Sequence, residues 1–157
     1  MNLVRVAACL AIGALLLPAI AQGHCQIPCG IYDDTARIER MLEDADTIEK
    51  SMTLIGELAG ATTAQEANQL TRWIMNKEEH ASNIISIVSE YFLTQKLKPV
   101  EPGDEGYEAY LGKLADHHLV MRAAMQAKQN TDLDYVATLR YAIVALGKNY
   151  GIEVGHP

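Results

Sequence analysis

Apolar residues recur at steps of three and four along most of the chain. Ile38, Met41, Leu42, Ala45, Ile48, Met52 and Ile55 form the first such series, and at 3.6 residues per turn they share one stripe of a helix reaching about Leu58. Asp33, Asp34 or Thr35 stands ahead of it as an N-cap, and Gly56 and Gly60 with Ala61, Thr62 and Thr63 end it. A second helix is expected from about Thr63 to Lys96, with Leu70, Ile74, Lys77, Ala81, Ile84, Ile85, Val88, Tyr91 and Phe92 on or near its inward stripe. Lys98-Pro99-Val100-Glu101-Pro102-Gly103 breaks the pattern. Tyr107, Leu111, Leu114, His118, Met121 and Met125 make a third stripe. Thr131-Asp132 caps a fourth helix carrying Leu133, Val136, Leu139, Ile143 and Leu146 to about Lys148, and Gly151 to Pro157 reads as a loose tail.

Four amphipathic helices with short connections, no alternating strand pattern and no internal repeat predict an all-α, antiparallel four-helix bundle. A single core of this size is expected to hold without a disulfide. The methionines and most tyrosines read as packing residues. Glu39, Glu43 and Asp46 repeat at helical spacing, but none of the expected helices carries a Glu-x-x-His partner for them, which excludes a di-iron carboxylate bundle. His117 and His118 are adjacent, so a helix turns them to different faces and they make no two-histidine site.

The segment before the first helix has a different character. Met1 to Gly23 carries one charge, Arg5, then an apolar run from Val6 to Ile20 and small residues at Ala19, Ala21 and Gly23. This is the layout of a cleaved secretory signal, residues 1–23, leaving 24–157 as a single secreted or periplasmic domain. As a membrane anchor the run is too short, since a spanning helix takes roughly 20 apolar residues. Removal of the signal leaves 12 basic and 20 acidic residues and shifts the formal charge from −7 to about −8. An acidic domain of this kind is a poor partner for nucleic acid or an anionic membrane, so neither is expected as a partner. It also repels anions at long range, so any anionic substrate must be drawn in by local positive groups.

Cys9 leaves with the signal, and Cys25 and Cys29 remain together at the start of the mature chain, in His24-Cys25-Gln26-Ile27-Pro28-Cys29. In an oxidising compartment these two could close a small disulfide loop. A bridge over so short an insert contributes little to the stability of the whole domain. If cleavage falls before His24, the arm offers an α-amine, an imidazole, a backbone amide and two thiols within reach of one ion. Amine and amide nitrogens with two thiolates in a plane suit nickel(II) or copper(II), whereas zinc prefers a tetrahedron. Pro28 bends the arm so that Cys29 reaches the fourth corner, and the His24 imidazole is left as an axial ligand.

His24-Cys25-x-x-Pro28-Cys29-Gly30-x-Tyr32-Asp33 followed by Ala36-Arg37-Ile38-Glu39 resembles the metal hook and first helix of nickel-containing superoxide dismutases. Elsewhere the likeness is looser, resting on the helical layout, Lys77-Glu78 and Tyr91-Phe92. The resemblance implies one nickel ion per chain, bound by the amine and imidazole of His24, the amide and thiolate of Cys25 and the thiolate of Cys29. It implies that Tyr32 stands over the open face and that Glu39 hydrogen-bonds the His24 imidazole. It also implies superoxide as substrate and a homohexamer of four-helix bundles. Thiolate and amidate donors stabilise nickel(III), which aqueous nickel(II) reaches only with difficulty. Three departures accompany the likeness: Gln26 stands where the family commonly has aspartate, one residue is missing between Asp33 and Ala36, and His80 occupies the place of an arginine expected to support Glu39. The other function class open to such an arm is a non-catalytic nickel or copper binder of the periplasm.

Overall fold

The structure, a computed structural model, describes residues 33–154. Four helices follow one another: α1 Asp34–Glu57, α2 Ala64–Ser86, α3 Tyr107–Gln129 and α4 Leu133–Lys148. Among the described residues there is no strand. The all-α four-helix expectation therefore holds; α1 and α4 end within a residue or so of the ends read in the sequence, whereas α2 stops at Ser86 rather than Lys96. The metal-binding arm of that expectation, with the signal segment, lies outside the described residues.

Three of the four helix starts, those of α1, α2 and α4, are capped by side chains. Asp33 Oδ1 accepts from the Ala36 amide at 2.9 Å, and Asp132 Oδ1 from the Asp134 amide at 3.0 Å. Thr63 and Glu66 form a reciprocal capping box at α2. The backbone N–H of Thr63 holds the Glu66 carboxyl below its ordinary range. Gly106, at φ 90°, turns the chain into α3, a conformation that a residue with a Cβ rarely adopts.

Cross-helix contacts give the topology. Along α1, Asp34 meets Tyr91, Asp44 meets His80 and Ser51 meets Asn76, so α1 and α2 are antiparallel. Arg140 of α4 clamps Asp46 and Glu49 of α1, and Gly147 lies against Ile38. α3 packs on α2 and α4. The result is an up-down-up-down bundle around Ile38, Met41, Ile48, Ile84, Phe92, Val120, Leu139, Ile143 and Leu146, all buried.

Several sequence expectations are corrected. The second helix is not one regular α-helix: Ile87–Lys96 is π-helical, and the side chains of Thr94 and Gln95 bond carbonyls five residues back, at Ser89 and Glu90. Ile74, placed on the inward stripe, is 41% exposed, and Leu133 is 45% exposed. The stripe of α3 is out of phase by about one residue. His117, Val120, Ala124 and Ala127 face the core, while Leu111 and His118 face outward. Apolar side chains are spread around the whole of this helix, so its sequence does not mark one face; small alanines go inward where the helices approach closely. The tail is not entirely loose either, since Ile152 is buried and its amide donates to the Gly147 carbonyl at 3.0 Å.

Lys77, expected near the inward stripe, is buried and its ammonium donates to the carbonyls of Ala127 and Lys128. Those carbonyls belong to the last turn of α3, where no intrahelical donor remains and the helix dipole is negative. A buried cation is tolerated there because it completes the end of a neighbouring helix.

Candidate metal centre

His24, Cys25, Cys29 and Tyr32 all lie outside the described residues. The structure does place the seat to which they are joined. Both carboxylate oxygens of Asp34, in the first turn of α1, are engaged: the Tyr91 hydroxyl donates to Oδ1 at 2.6 Å and the Lys96 ammonium sits 2.8 Å from Oδ2. The start of α1 is thereby tied to the π-helical segment. The Arg37 guanidinium lies 5.3 Å from the centre of the Tyr91 ring. Burial, then the Asp34 carboxylate, pushes the Tyr91 phenol well above its ordinary range, so it stays a donor at any working pH.

Behind Tyr91 the aromatic rings continue inward. Tyr91 meets Phe92 edge-on at 4.9 Å, and Phe92 lies 4.8 Å from Tyr150 and 5.8 Å from His117. His117 is fully buried, with Nδ1 2.6 Å from the Lys113 carbonyl and Nε2 2.9 Å from the Tyr150 hydroxyl. A carbonyl only accepts, so the partners place the proton on Nδ1, and Tyr150 donates to Nε2. Burial pushes the Tyr150 phenol up to about 12, and pushes the His117 imidazole below its ordinary range.

The sign of the resulting pH dependence follows from linkage. The unfolded chain takes up a proton on His117 as pH falls through about 6.5, whereas the folded chain resists until its lower value is reached. The stability contribution is present above about 6.5 and is lost as pH falls below it. Urea unfolding at pH 7.5 and 5.5 is expected to give a lower midpoint at the acid value. In His117→Gln, which keeps a polar group in the cavity, this part of the slope disappears.

Lys96, Lys98 and Lys113 border a pocket of about 400 Å³ together with Tyr110 and Tyr150. Because Lys96 holds Asp34, this pocket lies at the end of the bundle from which the arm departs. In an acidic chain, the Lys98 and Lys113 ammonium groups here supply a local field attractive to anions, while the charge of Lys96 is matched by Asp34.

Glu39 and His80 are not brought together. Glu39 is exposed on α1, and no hydrogen bond or ion pair joins it to His80 among the described residues. His80 Nδ1 instead lies 2.5 Å from Oδ1 of Asp44, a carboxylate with no exposed surface. Arg40 approaches the same Oδ1 at 3.7 Å, and Oδ2 has no partner among the described residues.

Sequence reasoning missed Asp44 because it looked only at the evenly spaced acids of the outer face; an acidic residue interrupting the apolar stripe between Met41 and Ile48 was the signal available. It also read Asp34 only as a possible cap, and nothing local shows that Lys96 and Tyr91 converge on it. Among the described residues no cluster of three or more His, Cys, Asp or Glu is placed to hold a metal, and no helix is long and apolar enough to cross a membrane.

A model of the family described as nickel-containing superoxide dismutase matches residues 19–152, which takes in the His24–Cys29 arm, the seat at Asp34 and all four helices. The chain belongs to that family. The nickel-containing superoxide dismutases are oxidoreductases, and the chain is an enzyme of that class. No curated protein and no solved structure matches it.

Proposed function

We propose that the mature chain, residues 24–157, converts superoxide to dioxygen and hydrogen peroxide with one nickel ion held by its N-terminal arm. The observation that carries this reading is the His24-Cys25-x-x-Pro28-Cys29-Gly30-x-Tyr32 arm, lying within the match to the nickel-containing family. The donor set fits that metal: His24, Cys25 and Cys29 would offer it amine, amidate, imidazole and two thiolates, strong-field and soft donors that suit nickel. Nickel held there would supply a one-electron couple, Ni(II)/Ni(III), sufficient to oxidise one superoxide to dioxygen and to reduce a second, which takes up two protons, to hydrogen peroxide.

The chain's own residues do the rest. Cys25 and Cys29 provide the anionic sulfurs, and His24 provides the amine and the axial imidazole. Glu39 fixes the orientation of that imidazole by accepting its N–H, as outer partners of metal-bound histidines do. Tyr32 stands over the open face, restricting approach and ordering water. His80 supports the set through α1, by holding Asp44 on the same helix as Glu39. Lys98 and Lys113 offset the net negative charge for an approaching anion. Residues 1–23 are a signal, the compartment is the periplasm or the outside of the cell, and the chains assemble as a homohexamer.

Protein purified from its own host is expected to contain about one nickel per chain and to consume superoxide rapidly. Metal analysis with intact mass and a superoxide-decay assay check both. A protein that holds nickel or copper without consuming superoxide is a carrier, which overturns the enzymatic reading.

A further inference from the structure

Among the described residues, no element packs on the outer face of the α3–α4 pair. A groove of about 420 Å³ runs between the two helices, with Leu119 and Tyr141 on its walls and Ala145 among its small residues. Leu119 is 58% exposed and Tyr141 75% exposed. Large apolar side chains standing out together over a concave apolar surface are characteristic of a contact surface.

Charge marks the two ends of this patch. Asp116 and Arg122 line the same groove and lie three residues to either side of Leu119 on α3. Arg122 is exposed and has no hydrogen bond or ion pair among the described residues. Asp116 uses Oδ2 to accept from Asn149 at 2.7 Å, which leaves Oδ1 available. We infer that this face is a two-fold contact with a second copy of the chain, its axis passing near Leu119.

The pattern is self-complementary in the way such a contact requires. When α3 lies antiparallel to the α3 of another copy about Leu119, positions equidistant from Leu119 come opposite one another. Asp116 then faces the partner's Arg122 and Arg122 faces the partner's Asp116, so both charged pairs form at once. Ala115 and Ala123 become facing positions, and their small side chains let the two helices approach. The partner's Leu119 enters the groove beside Tyr141. A parallel arrangement sets like charges together and is disfavoured. An unrelated partner has no reason to match the reversal of sign about Leu119.

The inference takes from the homo-oligomer proposed above only that the occupant is a copy of this chain. The test is the molar mass of the nickel-loaded mature protein, by sedimentation velocity at tens of micromolar. The native chain is expected to be an oligomer. Arg122→Asp alone and Asp116→Arg alone each set two like-charged pairs across the axis, and each is expected to lower the mass at least twofold. Mixed one to one, the two variants regain two opposite pairs per contact and the native mass returns. Leu119→Glu, at an exposed position that leaves the fold intact, is expected to dissociate the contact without rescue by either variant. A monomeric native chain overturns both the oligomer and the surface. An oligomer whose mass is unchanged by Arg122→Asp and Leu119→Glu, or a mixture that stays dissociated, overturns the surface alone. Nickel content and superoxide consumption of the native protein are read separately, so neither result bears on the metal site.

Discussion

Cys25→Ser and Cys29→Ser proteins are expected to lose superoxide disproportionation almost completely. With the proposed ligands, each replacement would take one anionic sulfur from the metal and put a neutral, harder oxygen in its place. A serine hydroxyl near neutral pH is neither deprotonated nor soft, so it does little to stabilise the oxidised metal. Loss of an outer-shell partner costs a metal site roughly 10–100-fold. Loss of a ligand to the reacting ion is expected to exceed that range. Superoxide decay at matched nickel loading separates loss of rate from loss of metal. His24→Ala is expected to differ in kind, keeping most of the metal because the amine and both sulfurs survive, while the rate collapses for want of the axial imidazole. A Cys25→Ser protein turning over near the native rate overturns the ligand assignment.

The second large effect depends on where the signal is cut. Two small-x-small patterns overlap: Ala21-Gln22-Gly23 directs cleavage before His24, and Ala19-Ile20-Ala21 directs it before Gln22. A chain starting at His24 has its α-amine beside Cys25, and sulfur enters the plane. A chain starting at Gln22 presents Gln22-Gly23-His24, whose amine, two amides and imidazole wrap nickel(II) or copper(II) in four nitrogens. That site holds metal tightly but lacks the thiolates that stabilise the higher oxidation state. The protein with two extra residues is therefore expected to bind metal and lose most activity. N-terminal sequencing of the active fraction, with parallel assay of the two forms, checks this, and a fully active chain beginning at Gln22 contradicts the proposed ligand set.

How much of this was legible varied from element to element. α1 was readable throughout, because Ile38, Met41, Ala45, Ile48 and Met52 form a narrow stripe behind an aspartate cap, and all five are buried. α4 was nearly so, with only Leu133 misplaced, at the first residue of the helix where the bundle no longer covers it. α3 was legible as a helix but not in rotation. Leu111, Leu119 and Met121 compete with Val120 and the alanines for the inward position, and local sequence holds no term that decides between them. The arm, which lies outside the described residues, could be proposed from sequence because its chemistry is local: all of its proposed donors lie within six consecutive residues.

By itself, then, the sequence determined the number of helices and the aspartate caps of α1 and α4, and it supplied the arm proposed to hold the metal. Each depends on residues within a few positions of one another, where spacing and backbone preference act directly. Tertiary structure alone decided the phase of α3, the π-helical stretch at Ile87–Lys96 and the partners of the buried polar groups. Asp34 with Tyr91 and Lys96, Asp44 with His80, and Lys77 with the end of α3 each join separate elements. A buried charge or phenol is stable only where a complementary group arrives to replace water. That group comes from another helix, so which one arrives is set by how the helices pack and not by the residues beside it in the chain.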